Sequence, residues 1–178
     1  MADWVLRAMD NDAMPFMIID KRAARAFLFD QAGRLLGDSA VLLGSAAGDD
    51  SVPGIGDRKL SEIRPAERTT PAGRFVASLA LNLHGEDILW VDYDAAISMH
   101  RVITSNPTER RTQRLTTATP TDNRISYGCI NVPAPFFDTV IVPAFTSSSG
   151  VVYVLPEVKT LSQVFGGYAV SDAGGSTR

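Results

Sequence analysis

The stretch Ser126-Tyr127-Gly128-Cys129-Ile130-Asn131 decides how the chain is interpreted, because it holds the chain's single cysteine. A glycine before the cysteine permits a tight turn and leaves space in front of the sulfur. Serine and asparagine are short hydrogen-bonding residues that can orient a neighbouring group or donate to an oxyanion. The stretch therefore predicts a reactive thiol on a turn, with Gly128, Ser126 and Asn131 as supporting residues.

The single cysteine also has a less specific interpretation. A lone cysteine in a globular chain is more often a small buried apolar residue than a nucleophile. The chain also contains two histidines, His84 and His100. A cysteine together with a histidine elsewhere in the sequence is the minimum pair for nucleophilic catalysis, because the imidazole accepts the thiol proton and later returns it.

An apolar run bounded by prolines, Val132-Pro133-Ala134-Pro135-Phe136-Phe137-Asp138-Thr139-Val140-Ile141, follows the cysteine stretch. The prolines indicate the start of a helix. A cysteine at the N-terminus of such a helix lies at the positive end of the helix dipole. We therefore expect the dipole to lower the pKa of the Cys129 thiol and to favour the thiolate.

Composition limits the possible classes of protein. A chain of 178 residues that is 45% hydrophobic and 21% charged is an ordinary globular domain with a sizeable core. A net charge of -3 argues against binding to nucleic acid. One cysteine excludes an intrachain disulfide framework, and one cysteine with two histidines leaves too few ligands for a metal site. No apolar run is long enough to span a membrane, and Met1-Ala2-Asp3-Trp4 does not begin a signal peptide.

The remaining pattern predicts a mainly β domain, a meander or sandwich with a few short helices. The first hairpins should form an antiparallel meander in which each hairpin buries one face. We expect an N-terminal helical extension over 1–14, one domain over 15–165 and a flexible tail over 166–178. Strands are predicted at 16–20, 25–29, 35–36, 40–44, 75–83, 88–91, 95–99 and 151–155, and helices at 2–12, 132–141 and 158–165.

Two long loops are expected. Residues 44–60 are rich in Gly, Asp and Ser and are interpreted as a surface loop. Residues 101–125 carry five arginines and two prolines with little apolar periodicity. A loop this long in a compact domain is often functional, so it is expected to fold over a cleft and offer its arginines to carboxylates. A plain solvated loop is the alternative.

Three stretches in this order resemble the catalytic domain of L,D-transpeptidases, the cysteine enzymes that cross-link bacterial peptidoglycan. The first is the set of early hairpins from Phe16 to Gly44, and the second is Thr70-Pro71-Ala72-Gly73-Arg74-Phe75, which is similar to the family's Thr-Pro-x-Gly-x-Phe strand entry. The third is His100 followed by the cysteine stretch, which resembles a histidine, a spacer and Ser/Thr-His-Gly-Cys-x-Asn. Together they span about residues 15 to 155.

The resemblance implies a function and its residues. Cys129 would be the nucleophile and His100 the general base, which the family order favours over His84. Ser126 and Asn131 would orient His100 or brace the turn, with plain turn chemistry as the alternative for each. Tyr127 and Arg124 would contact the substrate. The implied reaction releases terminal D-Ala from a tetrapeptide stem and forms a 3-3 cross-link, with no cofactor.

The resemblance also implies partners, a location and two alternatives. Peptidoglycan stem peptides would be the partners, and the periplasm or cell envelope the location. Transfer of the acyl group to water would make the chain an L,D-carboxypeptidase. A non-catalytic peptidoglycan-binding domain with the same fold is the third possibility. The sequence gives no indication of the oligomeric state.

Two departures from the family pattern concern the predicted site. Tyr127 stands where the family has a second histidine, and a phenol donates one hydrogen bond but carries no positive charge near neutral pH. The spacer between His100 and Ser126 is longer than usual, and Arg101 replaces the glycine that usually follows the histidine. The extra residues are those of the arginine-rich loop, so the cleft is expected to be remodelled.

Overall fold

Strands dominate the computed structural model, which describes residues 1–168. The strands are β1 Phe16–Asp20, β2 Arg25–Phe29, β3 Leu35–Ala40, β4 Leu43–Gly44, β5 Gly73–Leu81, β6 Asp87–Asp92, β7 Ile97–Arg101, β8 Arg124–Ser126, β9 Ile130–Val132 and β10 Gly150–Val154. Within these residues, eight strands form one sheet in the order β3-β2-β1-β10-β5-β6-β7-β9, and β4 pairs with β8. The predicted mainly β fold is confirmed.

The helices are short. They are α1 Ala2–Ala8, α2 Arg111–Arg114, α3 Ala134–Phe136, α4 Val142–Phe145 and α5 Leu161–Val164. A π-helical turn, Phe137–Ile141, joins α3 to α4. Pro143 explains the change of register, because it has no N–H to donate to the carbonyl of Thr139 four residues earlier. Short 3-10 turns lie at Ile55–Asp57, Leu60–Glu62, Pro65–Glu67, Pro107–Glu109 and Pro120–Asn123.

The centre of the sheet is buried on both faces, which explains the continuous apolar runs of β1 and β10. Met17 and Ile19 of β1 face the main core, which the segment α3 to α4 closes with three phenylalanines. Phe16 and Ile18 face the other way, into a second cluster beneath α1 and α5. Alternation of side chains along a strand therefore serves two cores at once.

The first three strands form the expected antiparallel meander, whereas the whole sheet is mixed. β1 pairs with β10 in parallel, and β7 pairs with β9 in parallel. The sheet also closes on itself at one point beyond the end of β3, where Leu42 and Asn131 form an antiparallel bridge with N···O distances of 2.8 and 2.9 Å. This closure gives the sheet a barrel-like form around the main core.

Several predicted boundaries shift in the structure. The N-terminal helix ends at Ala8, where Met9 takes a left-handed conformation and caps it. The strand predicted at 40–44 is reduced to the two residues of β4, because Leu42 instead bridges to Asn131. Most of the predicted tail, from residue 169 on, lies outside the described residues. No helix in residues 1–168 is long and apolar enough to cross a membrane.

A buried ionic network fastens the loop after β4 to the sheet. The ammonium of Lys21 lies 2.7 Å from the carboxylate of Asp49 and 2.9 Å from the carbonyl of Thr70, and neither charged side chain is exposed by more than 1%. Burial raises the pKa of Asp49, but hydrogen bonds from Lys21 and from three backbone N–H groups outweigh burial and hold the pKa well below its usual range.

The network should contribute strongly to stability. Replacing Lys21 by Met leaves the carboxylate of Asp49 buried without its cation, and we expect a loss of about 3–5 kcal/mol in unfolding free energy. Urea denaturation followed by circular dichroism measures it. Lys159→Met is the matched control, because Lys159 pairs with the neighbouring Asp50 at the surface and should change stability by less than about 1 kcal/mol. Equal losses in the two variants would contradict this account.

Candidate active site

The parallel register of β7 and β9 brings the predicted nucleophile and base together. His100 lies directly opposite Asn131 in this register, and Met99 lies opposite Ile130. Side chains alternate between faces, so Ser98 and His100 share one face of β7, next to Cys129 and Asn131. The hydroxyl of Ser98 lies 3.6 Å from the sulfur of Cys129. The pairing therefore assembles a thiol, an imidazole, a hydroxyl and an amide on one surface.

The cysteine is not at the start of a helix, so the expected effect of a helix dipole is wrong. Cys129 precedes the strand β9, and α3 begins only at Ala134. The prolines were correctly interpreted as marking a helix start, but three residues of strand come first. The structure provides another cause for an ionised thiol, namely the groups that face it across β7.

The thiol and the imidazole shift each other's ionisation. Burial raises the pKa of Cys129, but hydrogen bonds with the His100 side chain and with Ser98 outweigh burial, so the pKa lies below its ordinary value. Burial lowers the pKa of His100, but contact with Cys129 and a 2.8 Å hydrogen bond to the carbonyl of Arg101 outweigh it, so this pKa lies above its ordinary value. Both shifts favour a thiolate beside an imidazolium.

The turn before the cysteine depends on Gly128 and on the hydroxyl of Thr70. Gly128 has a φ of 136°, and a Cβ there would lie 2.7 Å from Ile97 and 2.8 Å from the carbonyl oxygen of Thr69. The buried hydroxyl of Thr70 donates to the Gly128 carbonyl at 2.7 Å and accepts from the Gly44 N–H at 2.9 Å. These contacts fix the backbone that carries the sulfur.

Ser126 braces the same turn from inside. Its hydroxyl donates to the carbonyl of Cys129 at 2.6 Å and accepts from the N–H of Gly128 at 3.1 Å. Of the two roles considered for Ser126, these contacts favour bracing the turn. They also occupy the Gly128 N–H, which therefore does not point at the position of an oxyanion.

Asn131 links the imidazole to the arginine-rich segment. Its amide nitrogen lies 3.3 Å from Nε2 of His100, and its amide oxygen accepts from Nη1 of Arg111 at 2.5 Å. Arg111 is held in turn by the carboxylate of Glu109 at 2.5 Å. The positive charge of Arg111 acts on His100 by lowering the pKa of the imidazole. One arginine of the long segment thus reaches the site from behind the base.

A cavity of about 70 Å³ opens beside the sulfur of Cys129. Ala96 and Ile97 line it, together with Ile55, Arg58 and Ile63 from the segment after β4. This segment includes part of the 44–60 stretch that the sequence indicated as a surface loop. No residue of 101–125 lines this cavity, so the expected covering of the cleft is not found here: Arg111 reaches only Asn131, and an earlier loop borders the cavity.

Of the remaining residues considered in the sequence, Tyr127 lies at the cavity, whereas Arg124 and His84 lie away from it. Tyr127 lines the cavity, and the guanidinium carbon of Arg68 lies 3.9 Å from the centre of its ring. Arg124 is bound by Glu157 and by the carbonyl of Lys21, which extends the buried ionic network. Those contacts give its guanidinium a structural role and lend no support to the prediction that Arg124 binds substrate. His84 lies in the exposed turn between β5 and β6.

Three residues of the site had no assigned role in the sequence. Ser98 was detectable, because it lies two residues before His100 in a predicted strand and therefore on the same face. Thr70 belonged to the Thr-Pro-x-Gly motif, but its contact with Gly128 joins distant parts of the chain. Arg111 was one of five arginines in the long segment, and nothing in the sequence distinguished it from its neighbours. Across the described residues, no cluster of three His, Cys, Asp or Glu side chains forms a potential metal site.

Several solved structures have a fold similar to that of this chain, although their sequences are only distantly similar to it. Two structures of the helical cell shape determining protein Pgp2 from Campylobacter jejuni match 90% of this chain, with TM-scores of 0.54 and 0.53 and identities of 12% and 13%. The chain covers 56% of the first Pgp2 chain and 57% of the second. The chain thus spans little more than half the length of the Pgp2 chains that it matches.

L,D-transpeptidases are also among the matches. The match with the L,D-transpeptidase from Xylanimonas cellulosilytica covers 79% of this chain and 60% of that enzyme's chain, with a TM-score of 0.49 and 14% identity. The match with the catalytic domain of the E. faecium L,D-transpeptidase covers 79% of this chain and 96% of that domain, with a TM-score of 0.41 and 15% identity. The sequence matches neither a family model nor a curated protein. The chain shares its fold with the two Pgp2 structures, and at these identities the likeness concerns the fold alone.

The reactivity of the thiol should reveal its ionisation. At pH 6 an ordinary thiol with a pKa near 8.5 is only about 0.3% thiolate. A lowered pKa raises that fraction, so we expect iodoacetamide at pH 6 to alkylate Cys129 at least about tenfold faster than a cysteine in a short peptide. Mass spectrometry of quenched samples gives the rate.

The two histidines supply the comparison for this experiment. His100→Ala should bring the alkylation rate close to that of the peptide, because it removes the partner that favours the thiolate. His84→Ala should leave the rate unchanged, since His84 lies in an exposed turn. A peptide-like rate in the unsubstituted chain would refute the ion pair.

The charge of Arg111 should lower the pKa of His100. Removing its positive charge in Arg111→Met should raise the pKa of the imidazole above its value in the unsubstituted chain, because the arginine disfavours the imidazolium. Proton NMR of the histidine ring signals measures the shift, and His84→Ala assigns them. Arg110→Met is the control, since Arg110 is exposed and bonds to Gln113. An unchanged or lower pKa in Arg111→Met would exclude this role.

Proposed function

We propose that this chain is a peptidoglycan L,D-transpeptidase that transfers an acyl group through Cys129. The observation that carries the proposal is the hydrogen-bonding contact between the side chains of Cys129 and His100, which the β7–β9 register brings about and which lowers the pKa of the thiol and raises that of the imidazole. A thiol and an imidazole poised in this way are the requirement for nucleophilic attack on a carbonyl. A domain that only binds peptidoglycan has no use for that pairing.

The first step of the proposed reaction is acylation. The thiolate of Cys129 attacks the carbonyl carbon at the L-centre of residue three in a tetrapeptide stem, and a carbon–sulfur bond forms. The carbon–nitrogen bond to D-Ala breaks as the tetrahedral intermediate collapses. The imidazolium of His100 gives its proton to the departing amine, and such proton transfer contributes roughly 10²–10⁴-fold in rate.

The supporting groups keep this pair aligned. The hydrogen bond from Nδ1 of His100 to the Arg101 carbonyl leaves Nε2 on the side of Asn131. Ser126 and Thr70 hold the turn before the sulfur, as described above. Because the Gly128 N–H is bound to Ser126, we assign the oxyanion to the backbone N–H of Cys129 rather than to Gly128.

The second step returns the enzyme to its starting state. An amine of a neighbouring stem attacks the thioester, its proton passes to His100, and the thiolate leaves as the 3-3 cross-link forms. Water in place of the amine gives a tripeptide, which is the carboxypeptidase alternative. The reaction consumes no oxidant or reductant and involves no cofactor. The location that follows from this substrate is the periplasm or cell envelope.

A relation to cell shape is part of the proposal. Pgp2, which shares the fold, is described as a helical cell shape determining protein. We extend that description to this chain through the proposed substrate, since the cross-links and stem lengths of peptidoglycan are what such a reaction changes. Peptidoglycan stem peptides are therefore the proposed partners.

A direct assay decides among the three functions. Purified protein is incubated with disaccharide-tetrapeptide muropeptides, and products are identified by mass spectrometry. We expect dimers that have lost one D-Ala. Cys129→Ser should reduce their formation at least about 10³-fold, because a serine hydroxyl has a much higher pKa than a cysteine thiol and is a weaker nucleophile. Ser162→Ala, at the surface, is a control for substitution itself.

The other outcomes identify the alternatives. Tripeptides without dimers would replace the transpeptidase by the L,D-carboxypeptidase. No cysteine-dependent product, together with a peptide-like alkylation rate, would leave the binding domain as the function.

A further inference from the structure

The side-chain amide of Asn131 has one orientation that fits both of its partners. Its oxygen accepts from Nη1 of Arg111 at 2.5 Å, and its nitrogen lies 3.3 Å from Nε2 of His100. Turning the amide over would place its NH₂ group against the guanidinium, so two donors would meet without an acceptor. Arg111 therefore decides which end of the amide faces the imidazole.

This orientation selects one form of the imidazole. An amide NH₂ group can only donate, so Nε2 of His100 has to offer it a lone pair. The other ring nitrogen, Nδ1, lies 2.8 Å from the carbonyl oxygen of Arg101, which can only accept. The two contacts together fit the neutral tautomer that carries its proton on Nδ1. In that tautomer, Nε2 is a base.

Both the arginine and the amide are held in place by further contacts. The side chain of Arg111 is 13% exposed, and its Nε donates to the carboxylate of Glu109. Glu109 is fastened in turn, because its backbone carbonyl accepts from Nε of Arg114 at 2.7 Å. Asn131 is fully buried, and its backbone bridges to that of Leu42. A guanidinium fixed at two points loses little further freedom in holding the amide.

The electrostatic balance at His100 changes when Cys129 is acylated. In the free chain, burial lowers the pKa of His100, whereas contacts with Cys129 and with the Arg101 carbonyl raise it. A thioester sulfur carries no charge, so the contribution of the thiolate is lost, while burial and the charge of Arg111 still lower the pKa. Among the described residues, Cys129 and Arg111 are the ionisable side chains that act on the imidazole, since that of Arg101 is turned to Asp87.

We propose that Arg111 is a positioning residue for the second step, because its hold on the amide of Asn131 keeps Nε2 of His100 unprotonated in the acyl-enzyme. The inference rests on the proposed function, since it assigns Arg111 to the transfer of the acyl group. The attacking amine gives its proton to Nε2 as the carbon–nitrogen bond forms, the carbon–sulfur bond breaks, and the thiolate leaves. Without the guanidinium, the amide turns its oxygen toward Nε2 and stabilises an imidazolium, which cannot act as a base.

The first part of the test uses a protein whose residue 129 carries no charge. Cys129→Ser protein labelled with ¹⁵N is titrated, and the nitrogen signals of the His100 ring report which nitrogen holds the proton. We expect the proton of the neutral ring on Nδ1. Arg111→Met in this background should raise the pKa of His100 by about 0.5–1 unit, because a positive charge is lost and the amide is free to turn. Arg111→Lys keeps a charge and a donor and should restore most of the difference.

Asn131→Ala separates the orientation of the amide from the charge of the arginine. In Asn131→Ala protein, Arg111→Met should raise the pKa of His100 by no more than about half as much, because the two side chains act as a unit. Arg110→Met, which changes an exposed arginine that bonds to Gln113, should change nothing. An equal effect of Arg111→Met with and without the amide would overturn the inference, and so would a neutral ring with its proton on Nε2.

The second part of the test asks which step the arginine affects. Protein is mixed with disaccharide-tetrapeptide muropeptides at pH 5, and the thioester on Cys129 is followed by mass spectrometry of the intact chain. In Arg111→Met we expect the thioester to form without delay and to decay about three- to tenfold more slowly, because less of the imidazole is neutral below its pKa. The difference should disappear above about pH 8, where the ring is neutral in both proteins.

The outcomes distinguish this inference from the proposed function. A thioester that decays equally fast in both proteins would overturn the role of Arg111 and leave the transpeptidase standing. No thioester in the unsubstituted chain would overturn the transpeptidase, and with it the second step to which Arg111 is assigned.

Discussion

The parallel pairing of β7 with β9 is the interaction on which the site depends. It sets His100 opposite Asn131 and leaves Cys129 beside Ser98, so four polar side chains converge. In a parallel ladder the partner of each residue is fixed by register, and a shift of one position would turn the imidazole to the opposite face. The chemistry of the site is therefore a property of one register between two short strands.

The same register is supported from outside the two strands. Thr70 holds the Gly128 turn from one side, and the bridge between Leu42 and Asn131 holds β9 from the other. The network around Lys21 fixes the segment that carries Thr70, since the lysine also binds the Thr70 carbonyl. Stability and site geometry are thus linked through a small set of buried polar contacts, which low local dielectric makes both strong and costly to break.

The sequence predicted the parts of this arrangement that depend on short-range patterns. The apolar runs Phe16–Asp20 and Arg25–Phe29 were assigned to strands with the boundaries observed, because alternation and turn residues define such hairpins. Cysteine, histidine and the Thr-Pro-x-Gly motif indicated the family resemblance. The strand between Cys129 and the following helix was missed, because its three residues are too few for a period to be recognised.

Long-range placement was beyond what the sequence alone could provide. Arg124 and Arg111 come from the same arginine-rich segment, yet one completes a buried ionic network and the other reaches Asn131. The loop after β4 was interpreted as surface because of its composition, but it borders the cavity beside the sulfur. Composition describes how polar a segment is, whereas its position is decided by which distant residues it contacts.

The bridge between Leu42 and Asn131 also bears on the order in which the chain folds. The two residues lie about half the chain apart, so joining them requires the closure of a long loop and belongs to the later stages of folding. Until then Asn131 and the turn before it lack their outer support, and the contacts of Cys129 with His100 and Ser98 that lower the pKa of its thiol are not yet held in place. The lowered pKa of the Cys129 thiol therefore belongs to a chain in which β7 has already met the segment before β9.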